Sequence, residues 1–191
     1  MRVIAGEFKR RGIDGPPGDT RGLRPTSDRV RESLFNLIGL RVEDAVFLDL
    51  YAGTGAVGIE ALSRGARSVT FVENAASCLA VLRGNLKRLN LEERCDILPI
   101  SVADALPRLA RAGRRFDIVF ADPPYDMDTL PRLVEALGAG ELLTSNPLVV
   151  CEQRSEPETR ETGVLRLSDL RKYGKTRIAL WNIITPPDNP S

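Results

Sequence analysis

The sharpest grouping of reactive side chains is Asp122-Pro123-Pro124-Tyr125, which follows the apolar run Phe116–Ala121 (FDIVFA). An Asp and two prolines suffice for a turn. A turn does not explain an aromatic residue at the end of a strand. A carboxylate and a backbone carbonyl, the latter fixed by two rigid proline rings, can each accept one hydrogen of an NH₂ group. An exocyclic amine of a nucleobase is a poor nucleophile because its lone pair is delocalised into the ring. Two acceptors draw that nitrogen towards tetrahedral geometry and free the lone pair for in-line attack on an activated carbon. Asp122 is the side-chain acceptor in this reading and the Pro123 carbonyl the second. Pro124 stiffens the backbone, and Tyr125 stacks on the base for about 1–3 kcal/mol.

A second grouping supplies a place for the other reactant. Gly53-x-Gly55-x-x-Gly58 follows the apolar run 45–50, opens a helical segment, and lies 20 residues before Glu73 at the end of the next apolar run. That spacing suits a nucleoside-containing ligand, with glycines permitting close approach and Glu73 accepting from both ribose hydroxyls. A dinucleotide would set its pyrophosphate on the helix N-terminus. Asp49, four residues before Gly53, would oppose that charge. It suits instead a ligand with an ammonium group, such as the methionine end of S-adenosylmethionine. Asp49, Tyr51, Ala52, Gly53, Thr54, Gly55, Glu73 and Asn74 are therefore the candidate cofactor residues. Asp104 (in SVADAL) is read either as a contact to the adenine amine or as the N-cap of a helix over 105–112. With the donor already activated, positioning can supply most of the catalysis, up to roughly 7–11 kcal/mol.

These groups need a scaffold that brings strand ends together. Thr26-Ser27-Asp28 is a cap signal before Val30, Leu34, Leu37 and Ile38 at helical spacing, and Gly39 ends that helix. Strands are expected over 45–50, 68–73, 95–100, 116–121 and 148–152. Helices are expected from the glycine loop to Gly65 and over 75–89, 103–112 and 129–137. Runs 164–170 and 176–184 face each other across Tyr173-Gly174-Lys175 as a hairpin. Strand–helix alternation predicts an α/β fold, a mostly parallel doubly wound sheet with helices on both faces and a C-terminal antiparallel hairpin strand. Ligands of such sheets sit at the carboxyl ends of the strands, where every group above falls. Three parts are expected: a basic N-terminal arm and helix over 1–40 packed on the core, a catalytic domain over 41–185, and a tail over 186–191.

The 191 residues include no histidine and three widely spaced cysteines, Cys78, Cys95 and Cys151. This excludes Ser-His and Cys-His nucleophiles and leaves no zinc pattern, so no metal is expected. The opening MRVIAGEFKRR is not a secretory signal and no apolar stretch approaches a membrane span, so a cytoplasmic monomer is the expectation. Residues 1–31 carry eight Arg/Lys against four acids, a net +4, and the remainder is −3 (19 against 22). A basic arm on a slightly acidic body suits a polyanion. Arg10, Arg11, Arg24, Thr26 and Arg29 are the candidate substrate contacts. A short arm without a separate base-reading domain favours structured RNA, recognised by shape and backbone, over duplex DNA, whose target base must be flipped out.

The residues also carry a resemblance. Asp49–Gly55 resembles the first motif of Rossmann-like methyltransferases, and DPPY resembles the signature of enzymes that methylate adenine, cytosine or guanine amines. Arg24-Pro25-Thr26-Ser27-Asp28-Arg29-Val30-Arg31-Glu32-Ser33-Leu34-Phe35-Asn36, Met1-Arg2-Val3-Ile4-Ala5-Gly6, residues 58–66 (GIEALSRGA) and Tyr173-Gly174 are similar to the RsmD family of 16S rRNA guanine-N2 methyltransferases. The resemblance implies a class I S-adenosylmethionine-dependent fold, that cofactor, a small-subunit rRNA partner and a guanine-N2 product. DNA adenine-N6 methylation, a nicotinamide enzyme and a cofactor-binding module without catalysis are the alternatives that the residues leave open.

Overall fold

Neighbouring residues Phe47 and Leu48 are both fully buried, yet they belong to different cores, because successive strand side chains point to opposite faces. The alternation holds for the whole parallel part of the sheet: β1 (Val46–Leu50), β2 (Ser68–Val72), β3 (Cys95–Leu98), β4 (Phe116–Ala121) and β5 (Leu143–Gln153). The near-continuous apolar runs of β1, β2 and β4 reflect burial on both faces, whereas the edge strand β3 is only half-buried, with Asp96 exposed. The computed structural model describes residues 1–15, 28–123, 129–139, 141–154, 156–157 and 159–183. Helices α1 (Asp28–Ile38), α2 (Ala56–Ser63) and α3 (Ala76–Leu89) cover one face with Phe47, Val69, Phe71, Ile118 and Phe120. Helices α4 (Val102–Arg111) and α5 (Thr129–Gly138) cover the other with Leu48, Leu50, Val72, Val119 and Ala121.

Among the described residues the sheet has eight strands in the order β3-β2-β1-β4-β5-β8-β7-β6, with β6 (Glu161–Thr162), β7 (Leu165–Tyr173) and β8 (Thr176–Ile183). β1 to β5 are parallel neighbours in that order, and β8 runs antiparallel to β5. The expected C-terminal hairpin is β7 and β8, and the two-residue β6 extends it by one more antiparallel strand. β5 starts five residues earlier than its apolar core suggests. Its register against β4 jumps from Phe116↔Leu143 to Ile118↔Leu148, a bulge that accommodates Pro147, which has no N–H for the ladder. β3 stops at Leu98 rather than Ile100.

The N-terminal arm, whose Gly, Pro and basic content reads as short strand or loop, takes a defined course up to residue 15. Residues 1–15 fold back on themselves, with an antiparallel bridge between Arg2 and Gly12, and Val3 and Ile13 are buried in the first core. Glu60, buried on α2, accepts from the Ile4 N–H (2.8 Å) and the Ala5 N–H (3.0 Å). Ser63 at the end of α2 accepts from the Phe8 N–H and donates to the Ala5 carbonyl. Arg31, counted by charge among the surface cations, is wholly buried: Nη2 donates to the Arg2 carbonyl (2.5 Å) and Asp28 (3.0 Å), and Nε lies 3.7 Å from Glu60. The arm is therefore part of the folded body. The cap residues Thr26 and Ser27 and the tail lie outside the described residues.

Candidate active site

The chain leaves β1 at Leu50 and turns sharply. Tyr51 has φ +59, a left-handed conformation uncommon for a side-chain-bearing residue. The Ala52 N–H donates to the Val72 carbonyl of β2 (3.0 Å), which pins the loop across the ends of two strands. Gly53 (φ +56) and Gly55 (φ +82) complete the turn into α2. A Cβ built on Gly53 would meet nothing within 4 Å, so that side of the loop is open. At Gly58, inside α2, a Cβ would lie 2.2 Å from the Phe71 ring, so the absence of a side chain lets α2 press against β2. The three glycines serve a turn, an open approach and a close packing contact.

Two carboxylates hold this loop. Glu73, one residue past β2, accepts from the Gly53 N–H with Oε2 (2.7 Å) and from the Asn74 and Ala75 N–H groups with Oε1 (2.8 and 2.7 Å). It ties the loop to the start of α3, where Asn74 is exposed. Asp49 is 1% exposed, and its Oδ2 accepts from the Gly58 N–H (2.9 Å). Burial pushes the Asp49 carboxyl up to about 7, opposed by the Gly58 hydrogen bond and reinforced by the negative charge of Glu73. Such a site gains from a nearby cation.

Asn85 on α3 was not singled out by its sequence context. It is 1% exposed; its Oδ1 accepts from the Asp14 N–H (2.8 Å), and its Nδ2 donates to the Asp14 and Thr54 carbonyls (3.1 and 3.0 Å). Arg88 one turn on pairs with the Asp14 carboxylate. The arm is thereby fastened beside the loop by the Asn85 side chain and the Arg88–Asp14 ion pair. The available sequence signal was a polar residue interrupting the Leu79, Leu82, Leu86, Leu89 stripe.

Strand register places the other candidates. Leu50 pairs with both Val72 and Ala121, so Glu73 and Asp122 follow at one level on either side of Tyr51. Two interstrand spacings separate their backbones by about 10 Å. Asp122 is half-buried and Pro123 buried. Pro124 and Tyr125 lie outside the described residues. The Tyr51 ring packs partly against the second core, at a cleft of about 550 Å³ lined also by Val102, Leu106 and Leu133. Asp104 is not the N-cap of α4. Ser101 is, with Oγ accepting from the Asp104 N–H (3.1 Å) and donating to its carboxylate (2.6 Å). Asp104 sits exposed in the first turn, where its charge favours the helix dipole.

Of the candidate substrate contacts, Arg10, Arg11 and Arg29 are exposed, while Arg24 and Thr26 lie outside the described residues. Arg10 and Arg29 line a recess of about 420 Å³ with Arg2, Lys9, Asp28 and Glu32. The arm docks against Glu60 and Ser63, towards the end of α2 away from the glycine loop. The structure does not gather Arg10 and Arg11 into the crevice between Gly53 and Asp122. All three cysteines are free. Burial pushes the Cys151 thiol up to about 12, which makes it inert.

The family described as conserved hypothetical protein 95, RsmD, matches residues 1–182. The chain belongs to this family. Among RsmD relatives, the YlbH protein of Bacillus subtilis (strain 168) is 35% identical over 182 residues, covering 95% of this chain and 98% of its own. Ribosomal RNA small subunit methyltransferase D of Escherichia coli (strain K12) is 36% identical over 156 residues, covering 82% and 76%. The solved yhhF protein of Escherichia coli superposes with a TM-score of 0.82 at 32% identity, covering 96% of this chain and 97% of that one. The fold is the Rossmann-like one of class I S-adenosylmethionine-dependent methyltransferases.

Proposed function

We propose that this chain transfers the methyl group of S-adenosylmethionine to the exocyclic N2 amine of a guanine in small-subunit rRNA. The observation that carries the reading is the shared level of Glu73, the glycine loop and Asp122 at the carboxyl edge of the sheet. The name of the Escherichia coli relative supports the substrate class. The residues present fit the cofactor: an open backbone at Gly53, a carboxylate fixed at the next strand end, and a buried acid that gains from a cation. Gly53–Gly55 would hold it with Glu73 at its ribose and Asp49 below its positive end. When bound it supplies an activated methyl group.

The protein's own part is placement. Phe120 and Ala121 face opposite cores, and the same alternation carried one residue further directs Asp122 to the α2 face that holds the loop. There its carboxylate accepts one hydrogen of the target amine, the Pro123 carbonyl accepts the other, and Tyr125 stacks on the base. The proton released on transfer leaves along the Asp122 hydrogen bond. Arg10, Arg11 and Arg29, exposed on the body, contact RNA phosphates together with Arg24, and Thr26 is a further candidate substrate contact.

Methylation with labelled cofactor tests this, using small ribosomal subunits that lack the modification, protein-free rRNA transcript and naked DNA, followed by mapping of the methylated nucleotide. N2-methylguanine in RNA is expected. Asp122→Ala should bind S-adenosylhomocysteine within about threefold of wild type and turn over at least about 10²-fold more slowly. A wild-type rate in that variant removes Asp122 from the chemistry, and N6-methyladenine in DNA would replace the substrate reading.

A further inference from the structure

Asp122 has a carboxylate neighbour on its own face of the sheet. β4 and β5 run in parallel register through Phe120↔Val150 and Ala121↔Cys151, so the next level sets Asp122 beside Glu152. Val150 lies in the core beneath α1, α2 and α3, and Cys151 in the core beneath α4 and α5. Strand alternation therefore turns Glu152 to the side that Phe120 and Asp122 share. Adjacent strands lie about 5 Å apart. Glu152 is thus the next group along the carboxyl edge, on the side of Asp122 away from Glu73 and the glycine loop.

Glu152 is 5% exposed. On β8 it pairs with Ile178, buried in the same core, and the Thr176 hydroxyl donates to its Oε1 over a long 3.5 Å. Carboxylates are rarely buried to this degree, and two of them on adjacent strands repel. Both stay ionised most readily when each faces a donor, because an ionised carboxylate can only accept.

A nucleobase can bring two donors together. Asp122 takes a hydrogen of the exocyclic amine in the reading above. A ligand at Gly53 and Glu73 occupies one side of Asp122, so the base extends to the other, over Glu152. Guanine alone among the three amine-bearing bases has a ring N–H next to that amine, at N1. Adenine N1 and cytosine N3 present a lone pair there.

We propose that Glu152 is the specificity-determining residue of the site: its carboxylate accepts from the guanine N1–H while Asp122 accepts from the N2 amine, and it repels the lone pair that adenine or cytosine would bring. This rests on the guanine-N2 reading above and adds to it the group that chooses the base by its Watson–Crick edge.

Glu152→Gln tests it, on small subunits assembled with rRNA that carries either guanine or 2-aminopurine at the mapped target. 2-Aminopurine keeps the 2-amine but has a lone pair at N1. Wild-type protein should prefer guanine by about 10–100-fold in kcat/KM. Glutamine keeps the side-chain length and an oxygen for the Thr176 hydroxyl, so the variant should melt close to wild type and bind S-adenosylhomocysteine within about twofold. Its amide can donate to the bare N1, so the preference for guanine should shrink by about tenfold or more, chiefly through loss on the guanine substrate. A Glu152 that serves only the fold would slow both substrates alike, so equal losses, or none, overturn the proposal. So does wild-type protein that methylates 2-aminopurine as fast as guanine, whatever the variant does. Wild-type protein that leaves the guanine subunit unmethylated overturns the rRNA reading instead.

Discussion

Asp49→Asn separates what the buried carboxylate does for the fold from what it does for the ligand. The amide oxygen of asparagine can still accept from the Gly58 N–H, at 2.9 Å in the native protein, so only the charge is removed. Folding moves the Asp49 carboxyl from its ordinary 3.8 to about 7, chiefly through burial. At about 1.4 kcal/mol per tenfold in proton affinity, ionising it in the folded state costs up to about 4 kcal/mol. Because the folded value is the higher one, the contribution to stability is fully present below pH 3.8, declines as pH rises and is lost above pH 7. Asp49→Asn escapes that decline. At pH 8 the variant should be the more stable by as much as about 4 kcal/mol, a rise in Tm of roughly 8–16 °C for a chain of this size. At pH 4 the two proteins should melt together. The ligand shows the reverse preference. A cationic cofactor favours the ionised carboxylate, so S-adenosylmethionine affinity in the native protein should weaken as pH falls below about 7, by up to tenfold per pH unit, and in the variant should be weaker at pH 8 and flat with pH. Thermal melts and calorimetry from pH 4 to 8.5 measure both. Stability curves that stay parallel across that range would refute the argument that a desolvated charge sits beneath the loop.

Gly58→Ala should lower stability by about 1–3 kcal/mol, since its new methyl group would start 2.2 Å from the Phe71 ring; urea unfolding reads the loss. Glu60→Ala removes one of the two carboxylates beside the buried Arg31 guanidinium and leaves two arm N–H groups without their acceptor, for about 3–5 kcal/mol, and amide exchange of residues 3–5 should accelerate with it. Combined Arg10→Ala, Arg11→Ala and Arg29→Ala should weaken RNA binding and shrink its salt slope while leaving cofactor affinity alone. An unchanged slope would remove the arm from RNA contact.

The parallel sheet was legible because its signals are local: apolar runs buried on both faces, helices with leucine stripes, and glycines at the turn after β1. What escaped depends on tertiary partners. Arg31 reads as one more surface cation until Glu60, 29 residues away, is seen to approach it inside the protein. Ser101 and Asp104 each had the chemistry to cap α4, and only the backbone geometry assigns the cap to Ser101. The early start of β5 was hidden because Pro147 reads as a strand breaker, while a bulge absorbs it. At the site, the spacing from Gly53 to Glu73 was readable, but the direct 2.7 Å contact between them was not, because it follows from the pairing of β1 with β2.

Helix α2 has seven of its eight residues buried, with the Gly58 N–H held by Asp49 near one end and Glu60 and Ser63 gripping the arm towards the other. Two separate obligations therefore converge on a segment about 12 Å long. In a saturation-mutagenesis map it would stand out as a narrow band of intolerance, with Glu60 as unforgiving as the glycines although it touches neither reactant. Drift in the arm and drift in the loop are then not independent, since the rod that joins them has almost no free surface on which to compensate.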